Sequence, residues 1–320
     1  MNITQVSQLA KKLKLGKILY KFYYQPNATI WFRYNLLLAR YGENQLKSKL
    51  QFIQAPQFPD IDIDITFMTG EKYWHQTVLC ALSLVHVIEH VPHFTIYDDG
   101  TLNLERIQLL KRLFPQTCII TKAQAEANLE PVLPKTSYPA LWTARTRFVQ
   151  MRKLIDINIL SPGKLYLDSD MIFWQYPSEL IEFYNNKKAF FMVQNNVPEF
   201  WGFICDTTKI FASTGIQPIP HFNAGIFFLG KTEIDWDLVE SWTKTLMDIP
   251  EQHNPITLEQ TLLALIFAQI KNAIGLPDAY YVASDDNFPQ HFILTHYINN
   301  QMKLKYMNRE WYRWFSQFAN

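Results

Sequence analysis

Only three cysteines occur in 320 residues, Cys80, Cys118 and Cys205, and they lie far apart with no paired spacing. Neither a disulfide framework nor a zinc cluster can be read from that pattern, and their apolar neighbours predict reduced, buried thiols. No apolar run reaches the ~18–20 residues of a spanning helix. The opening residues also lack a signal peptide's uninterrupted apolar core and cleavage site, so the protein is expected in the cytoplasm. Net charge is nearly missing as well: 30 Lys and Arg against 29 Asp and Glu give +1. That balance exerts no global pull on polyanions, and no nucleic-acid partner is expected. Internal repeats and low-complexity tracts are absent too, so the fold must be read from the order of its elements.

What is abundant is packing material. Apolar residues make up 48% of the chain and aromatics 15%, enough to bury a large core in one α/β unit. The start differs from the rest. Lys11, Lys12, Lys14, Lys17 and Lys21 alternate with Leu9, Leu13, Leu15, Ile18, Leu19 and Tyr20, and Trp31, Phe32 and Tyr34 follow. This amphipathic, cationic stretch reads either as helices packed on the main body or as a peripheral contact with the inner face of a membrane. Residues 1–60 are accordingly expected to form a helical N-terminal extension, and 61–320 the main domain.

Beyond Pro59, strand and helix alternate. Ile61–Met68 reads as a strand, Trp74–His90 as a helix stopped by Pro92, and Phe94–Tyr97 as a second strand. Leu102–Phe114 reads as a helix, Cys118–Thr121 as a strand, and Leu141–Ile157 as one longer helix carrying Arg145, Arg147, Arg152 and Lys153. Strands are further expected at Lys164–Leu167, Met171–Phe173, Phe190–Val193, Phe222–Leu229 and Phe292–Tyr297. Helices are expected at Leu238–Met247 and Thr257–Ile270, and in the aromatic tail Trp311–Phe318. The alternation predicts a mostly parallel sheet with helices on both faces, and ligands bound beyond the carboxyl ends of the strands.

The strongest local signal is Leu165-Tyr166-Leu167-Asp168-Ser169-Asp170, two acids spaced by one residue directly after an apolar strand. In extended chain such residues share a side, so both carboxylates can address one hard cation, Mn²⁺ or Mg²⁺. That cation would hold a substrate diphosphate and neutralise its charge. Acidic pairs also recur as caps and solvated strand ends, as Asp60, Asp62, Asp64, Asp235 and Asp237 illustrate, and context has to decide.

That context resembles the GT-A glycosyltransferases, and most closely their family eight. The Leu-Tyr-Leu-Asp-x-Asp segment is followed in order by His221-Phe222-Asn223-Ala224-Gly225-Ile226, similar to that family's Asn-Ala-Gly strand. Leu258-Glu259-Gln260 is similar to its Asp-Gln helix start, and Thr295-His296-Tyr297 with Lys303 to its terminal His and Lys. Upstream, Phe67-Met68-Thr69-Gly70-Glu71-Lys72-Tyr73 stands at the first strand and nucleotide loop, and Tyr97-Asp98-Asp99-Gly100 at a second strand end. The resemblance spans residues 62–305.

It implies a GT-A fold, a Rossmann-like mixed sheet flanked by helices, that moves a hexose from a nucleotide-sugar donor, UDP-linked, to a saccharide or lipid-linked acceptor. By the same resemblance Asp168, Asp170 and His296 would hold the metal, and Thr69, Tyr73 and Asp98 would meet the nucleotide. Arg145 or Arg147 would reach the phosphate or sugar, Lys303 would join the donor site, and Asn223 and Gly225 would line the sugar. Glu259, Gln260 and Asn223 are the candidate catalytic groups, Glu259 as a base or as an anion facing developing positive charge. The chain departs from the pattern at Gly70 and Glu71, where aspartates are expected, and at Asn299 or Asn300, where Gly is expected.

Three other readings compete. A haloacid dehalogenase-type phosphatase would use Asp168 as nucleophile and Asp285-Asp286 for Mg²⁺. A GT-A-shaped binding protein would have lost turnover. His86-Val87-Ile88-Glu89-His90 also matches a zinc hydrolase helix, although no third ligand is marked and Pro92 follows closely.

Overall fold

A computed structural model describes residues 26–198, 202–250, 252, 254–284 and 289–318, with side chains from residue 33 onward. The lysine-rich residues 11–21 and the Asp285-Asp286 pair lie outside the described residues.

The chain enters through a long helix, α1 (Pro26–Phe52), and then forms β1 (Asp60–Thr69), α2 (Trp74–Ile88), β2 (Val91–Asp98), α3 (Leu104–Leu113) and β3 (Cys118–Ile120). Helices α4 (Lys122–Leu129) and α5 (Pro139–Arg147) precede a π-helical turn, Lys153–Ile157. Strands β4 (Leu165–Leu167) and β5 (Met171–Phe173) flank the acidic pair, and α6 (Ser178–Asn185), β6 (Phe190–Val193), α7 (Thr207–Thr214) and β7 (Phe222–Phe228) follow. The remainder is α8 (Trp236–Met247), α9 (Leu258–Ala268), β8 (Ile274–Gly275), β9 (Tyr280–Ala283), β10 (Leu294–Tyr297), α10 (Asn300–Lys305) and α11 (Trp311–Phe318).

Seven strands build the main sheet in the order β3-β2-β1-β4-β7-β6-β8, and β5-β10-β9 form a smaller one. Strands β1 to β4 run parallel, and β7 is antiparallel to both β4 and β6. This is the mixed, mostly parallel sheet that the alternation predicted. The central strands β4 and β7 are buried along their whole length, with both faces covered. Leu165 and Leu167 point into one core with Ile63, Ile65 and Phe67, while Tyr166 between them joins the opposite core with Phe191, Phe227 and Trp242.

Several boundaries differ from expectation for local reasons. Helix α2 ends at Ile88 because Glu89 turns left-handed (φ 53°), so Pro92 sits inside β2 instead of following a helix. The helix expected over Leu141–Ile157 is two pieces: α5 stops at Phe148, whose backbone is extended, and helix resumes only at Met151. Helix α4 escaped the apolar pattern because it is short and weakly amphipathic, but a capping box of Thr121 and Gln124 holds its start. Cys80 and Cys205 are buried as expected, whereas Cys118, at the outer strand, is exposed. The aromatic tail is the expected helix and packs back, with Trp311 and Trp314 buried and Tyr312 outside.

His86 and His90 do not share a metal site. The His86 ring packs on Phe58, Trp314 and Phe318, and His90 Nδ1 lies 2.9 Å from the Ile88 carbonyl. Among the described residues, the acids and histidines that come together as a metal-binding group are elsewhere.

Candidate functional site

Parallel pairing of β1 with β4 (Ile65 with Leu165, Thr66 with Tyr166) sets Thr69 and Asp168 at the same carboxyl edge of the sheet. From there the chain crosses to the small sheet through Asp168-Ser169-Asp170. Backbone bonds tie the crossing at both ends, Asp168 N–H to the Gly225 carbonyl (2.8 Å) and Tyr297 N–H to the Asp170 carbonyl (3.0 Å). Antiparallel pairing of β10 with β5 sets His296 opposite Met171, beside the acids. One ligand atom from each of Asp168, Asp170 and His296 lies within 4.8 Å of the others. Two hard carboxylate oxygens and an imidazole nitrogen suit Mn²⁺ or Mg²⁺.

The neighbours of Asp170 hold it in its charged form. Burial pushes the Asp170 carboxyl up, yet Lys303 Nζ at 2.9 Å and His296 Nε2 at 3.2 Å more than reverse that and hold it well below the usual carboxylate range. Asp168 accepts a bond from the Tyr166 hydroxyl (2.7 Å) and faces Lys153 Nζ at 3.3 Å. Lys303 is brought in by α10, whose start is capped by Asn299 accepting from Met302 N–H at 2.9 Å. An Asn at 299 thus has a job that Gly could not do.

Gly225 leaves room for the histidine. A Cβ built on it would stand 2.5 Å from His296 Cε1 and 2.7 Å from Met171 Cε, so the missing side chain serves the imidazole directly. The sheet register slips opposite this stretch, between Phe191 and Met192, and both Asn223 and Gly225 line the cleft. Asn223 accepts from Gly225 N–H (2.9 Å) and donates to Gln194 (2.9 Å), while Gln260 accepts from Ala224 N–H (3.1 Å) and donates to the Gly202 carbonyl (2.8 Å). Both amides are oriented before any ligand arrives.

A cleft of about 690 Å³ lies over these residues, bordered by Asp168, Asp170, Lys153, Glu259, Gln260 and His296. A smaller one of about 230 Å³ adjoins it beside Thr69, Tyr73, Gln76 and Asp99. Lys153, which sequence reasoning left out of the site, borders both clefts, as Lys303 does. The Lys153 ammonium lies 3.3 Å from Asp168, 3.3 Å from Glu259 and 3.3 Å from the Ala224 carbonyl. Burial works against its charge, but the two carboxylates outweigh burial and raise its pKa. Glu259, also buried, is pushed up to about 7, by desolvation first and by Asp168 next, with Lys153 opposing both. The π-helical turn aims Lys153 inward, and an apolar-periodicity reading has no signal for such a turn.

Three expected donor contacts are placed elsewhere. Arg145 is buried in a fork against Asp156 (2.6 and 2.8 Å) and reaches Glu126 at 3.3 Å, away from both clefts. Arg147 is exposed, with its guanidinium 5.0 Å from the Phe148 ring centroid. Asp98 is buried and accepts from the N–H groups of Gly100, Thr101 and Leu102, anchoring the turn after β2. Its neighbour Asp99 faces the smaller cleft instead, and its carboxylate stands where a side chain on residue 70 would be. An aspartate at 70 would have to displace the Asp99 carboxylate. The Asp235 and Asp237 pair is structural, since Asp235 caps α8 through Leu238 N–H (3.0 Å) and Asp237 accepts from the Tyr138 hydroxyl (2.9 Å).

Replacing Arg145 by Met strands the fully buried Asp156 with Arg152 as its remaining partner, at 2.9 Å. The expected outcome is a loss of about 3 kcal/mol in urea unfolding, with nucleotide affinity of the folded variant unchanged. A phosphate-binding arginine would show the opposite pattern.

The model of the family described as "Glycosyl transferase family 8" matches residues 64–304. No curated protein sequence matches the chain. Among solved structures, the galactosyltransferase LgtC in complex with donor and acceptor sugar analogs is similar at 13% identity, over 81% of this chain and 97% of that one, with a TM-score of 0.50. Mouse xyloside xylosyltransferase 1, in its apo form, aligns at 13% identity over 75% of this chain and 98% of its own, with a TM-score of 0.49. At that identity, the likeness to LgtC shows the shared GT-A fold.

Proposed function

The chain belongs to glycosyl transferase family 8, and from that premise we propose that it transfers a hexose from a UDP-linked sugar to a hydroxyl of a saccharide or lipid-linked acceptor. In this reading residues 61–320 form the transferase unit and residues 1–60 an extension to it. The observation that carries the reading is the convergence of Asp168, Asp170 and His296 with Lys153, Glu259 and Gln260 around one cleft. The buried thiols of Cys80 and Cys205 fit work in the reducing cytoplasm.

Asp168, Asp170 and His296 would hold Mn²⁺ or Mg²⁺, which supplies positive charge to the departing diphosphate. Lys303, already beside Asp170, adds a second positive charge at that edge. Thr69 and Tyr73 line the nucleoside side, with Asp99 added from the turn after β2. On the sugar side, Asn223 and Gln260 present preset amides, and Gly225 keeps the wall open to His296. Glu259 faces the positive charge that develops on the sugar as its bond to phosphate breaks. Its charge is not solvated by water, so it acts at full strength on a neighbouring cation.

Calorimetric titration of UDP and of GDP, each with and without Mn²⁺, tests this reading. Metal-dependent binding of UDP in preference to GDP, with no turnover of p-nitrophenyl phosphate, is expected. Metal-dependent phosphate release without nucleotide binding would overturn the transferase reading in favour of a phosphatase using Asp168 as nucleophile.

A further inference from the structure

Charge is not spread evenly along this nearly neutral chain. The first 52 residues hold nine Lys and Arg against a single acid, Glu43, so the remaining residues carry 21 basic and 28 acidic side chains. The extension is strongly cationic and the transferase unit anionic. Glu43 is itself paired with Lys47 at 2.6 Å, so within these 52 residues no further acid offsets the lysines.

Helix α1 presents two different sides. One is docked: Ala39, Leu46 and Leu50 are buried, the Gly42 Cα lies against the Met307 carbonyl, and Lys49 covers the Phe315 ring at 4.7 Å. The other carries Tyr34, Leu37, Leu38 and Tyr41, exposed by 58, 63, 37 and 65%. Their spacing of i, i+3, i+4 and i+7 makes a single apolar stripe. Phe52, 82% exposed, continues the same line about five turns from Tyr34. Arg40 is exposed beside the stripe. A stripe of this kind in water is costly unless something covers it.

We propose that this face of α1 docks on an anionic lipid bilayer, with Tyr34, Leu37, Leu38 and Tyr41 entering the headgroup boundary. The excess of basic residues in the first 52 positions supplies the charge that draws this face to lipid phosphates. The contact is peripheral, because no helix among the described residues is long and apolar enough to cross a membrane. The charge pattern selects this occupant over two others. A second copy meeting the first through the same face would bring two strongly cationic extensions together. Nucleic acid would use the lysines but has no use for solvent-facing leucines between two tyrosines. An acceptor carried on a lipid would thereby be delivered to the transferase cleft, but the docking itself stands independently of the reaction.

The test is flotation of the full-length protein with vesicles of phosphatidylcholine alone or mixed with phosphatidylglycerol. The protein is expected to float with the mixed vesicles, to stay behind with the neutral ones, and to be released as salt is raised. The double variant L37Q/L38Q changes only exposed positions, so its circular dichroism and melting temperature should match the parent. Its partition should fall by on the order of tenfold per leucine. Changing Lys11, Lys12, Lys14 and Lys17 to Gln should abolish the preference for phosphatidylglycerol. Equal flotation by L37Q/L38Q overturns the assignment to this face. Self-association of the parent without lipid, lost in L37Q/L38Q, would identify a second copy as the occupant, and retention on duplex DNA without flotation would identify nucleic acid; either overturns the proposal.

Discussion

Asp170→Asn is expected to weaken Mn²⁺ binding, and with it metal-dependent UDP binding, by more than about a hundredfold, while the chain stays folded. The loss is expected to exceed the ten- to hundredfold typical of groups that only orient a ligand, because in the proposed reading Asp170 would itself be a ligand. The amide is nearly isosteric, but it offers one neutral oxygen where the carboxylate offers two charged ones. Lys303 and His296 then lose the partner that holds them, at 2.9 and 3.2 Å. Folding should survive because the backbone bonds that shape the crossing, Asp168 N–H to Gly225 and Tyr297 N–H to Asp170, involve no side chain at 170. Calorimetry with Mn²⁺ alone, then with UDP, separates the two losses. Undiminished metal affinity in the variant would remove Asp170 from the ligand set.

Glu259→Gln is expected to lower turnover by about a hundredfold or more while leaving the affinity for UDP and metal within about threefold of the parent. The reason lies in where the carboxylate sits. It is buried and 3.3 Å from Lys153, at the head of α9 and outside the group of Asp168, Asp170 and His296. The same change is expected to stabilise the fold above neutral pH. Burial raises Glu259 from its ordinary value to about 7, so the folded state holds this proton more tightly than the unfolded chain. Its stability contribution is complete in acid and is lost as pH rises from the usual carboxylate range to about 7. Gln never ionises and escapes that loss. A melting-temperature series from pH 5 to 8 should therefore show the parent falling relative to the variant. Unchanged kcat would take Glu259 out of the reaction, and parallel melting curves would refute its raised pKa. The parent's turnover should fall on the acid side as Glu259 is protonated, at or below a pH of about 7 once a cation neighbours Asp168.

The two variants divide the cleft. In the proposed reading Asp170 serves the diphosphate half and Glu259 the sugar half, and Lys153 borders both clefts. An ammonium between Asp168 and Glu259 keeps two carboxylates close together without the repulsion that would otherwise protonate one of them fully. The cost is the desolvation of two ionisable groups, Lys153 and Glu259, side by side, which a purely structural core would avoid.

Much of this was legible in the linear chain. Alternating apolar strands and helices fixed a mostly parallel sheet because the period of the pattern reports which faces are buried, and Asp168, Asp170 and His296 stood at strand ends where such sheets bind ligands. Periodicity cannot report what a side chain finally touches. Arg145 and Lys153 lie eight residues apart on what reads as one helix, yet a break at Phe148 and a π-helical turn send the arginine to Asp156 and the lysine to the cleft. Asp98 and Asp99 differ in sequence by one position, and only the fold of the turn gives the first to backbone N–H groups and the second to the smaller cleft. Gly70 read alone is a missing aspartate; against Asp99 it is a space already filled. The order of elements and the acids at their ends are local properties, set by each residue's own chemistry and its near neighbours. Which arginine, lysine or aspartate is left free to meet a ligand is decided by partners distant in sequence, and so belongs to the tertiary structure.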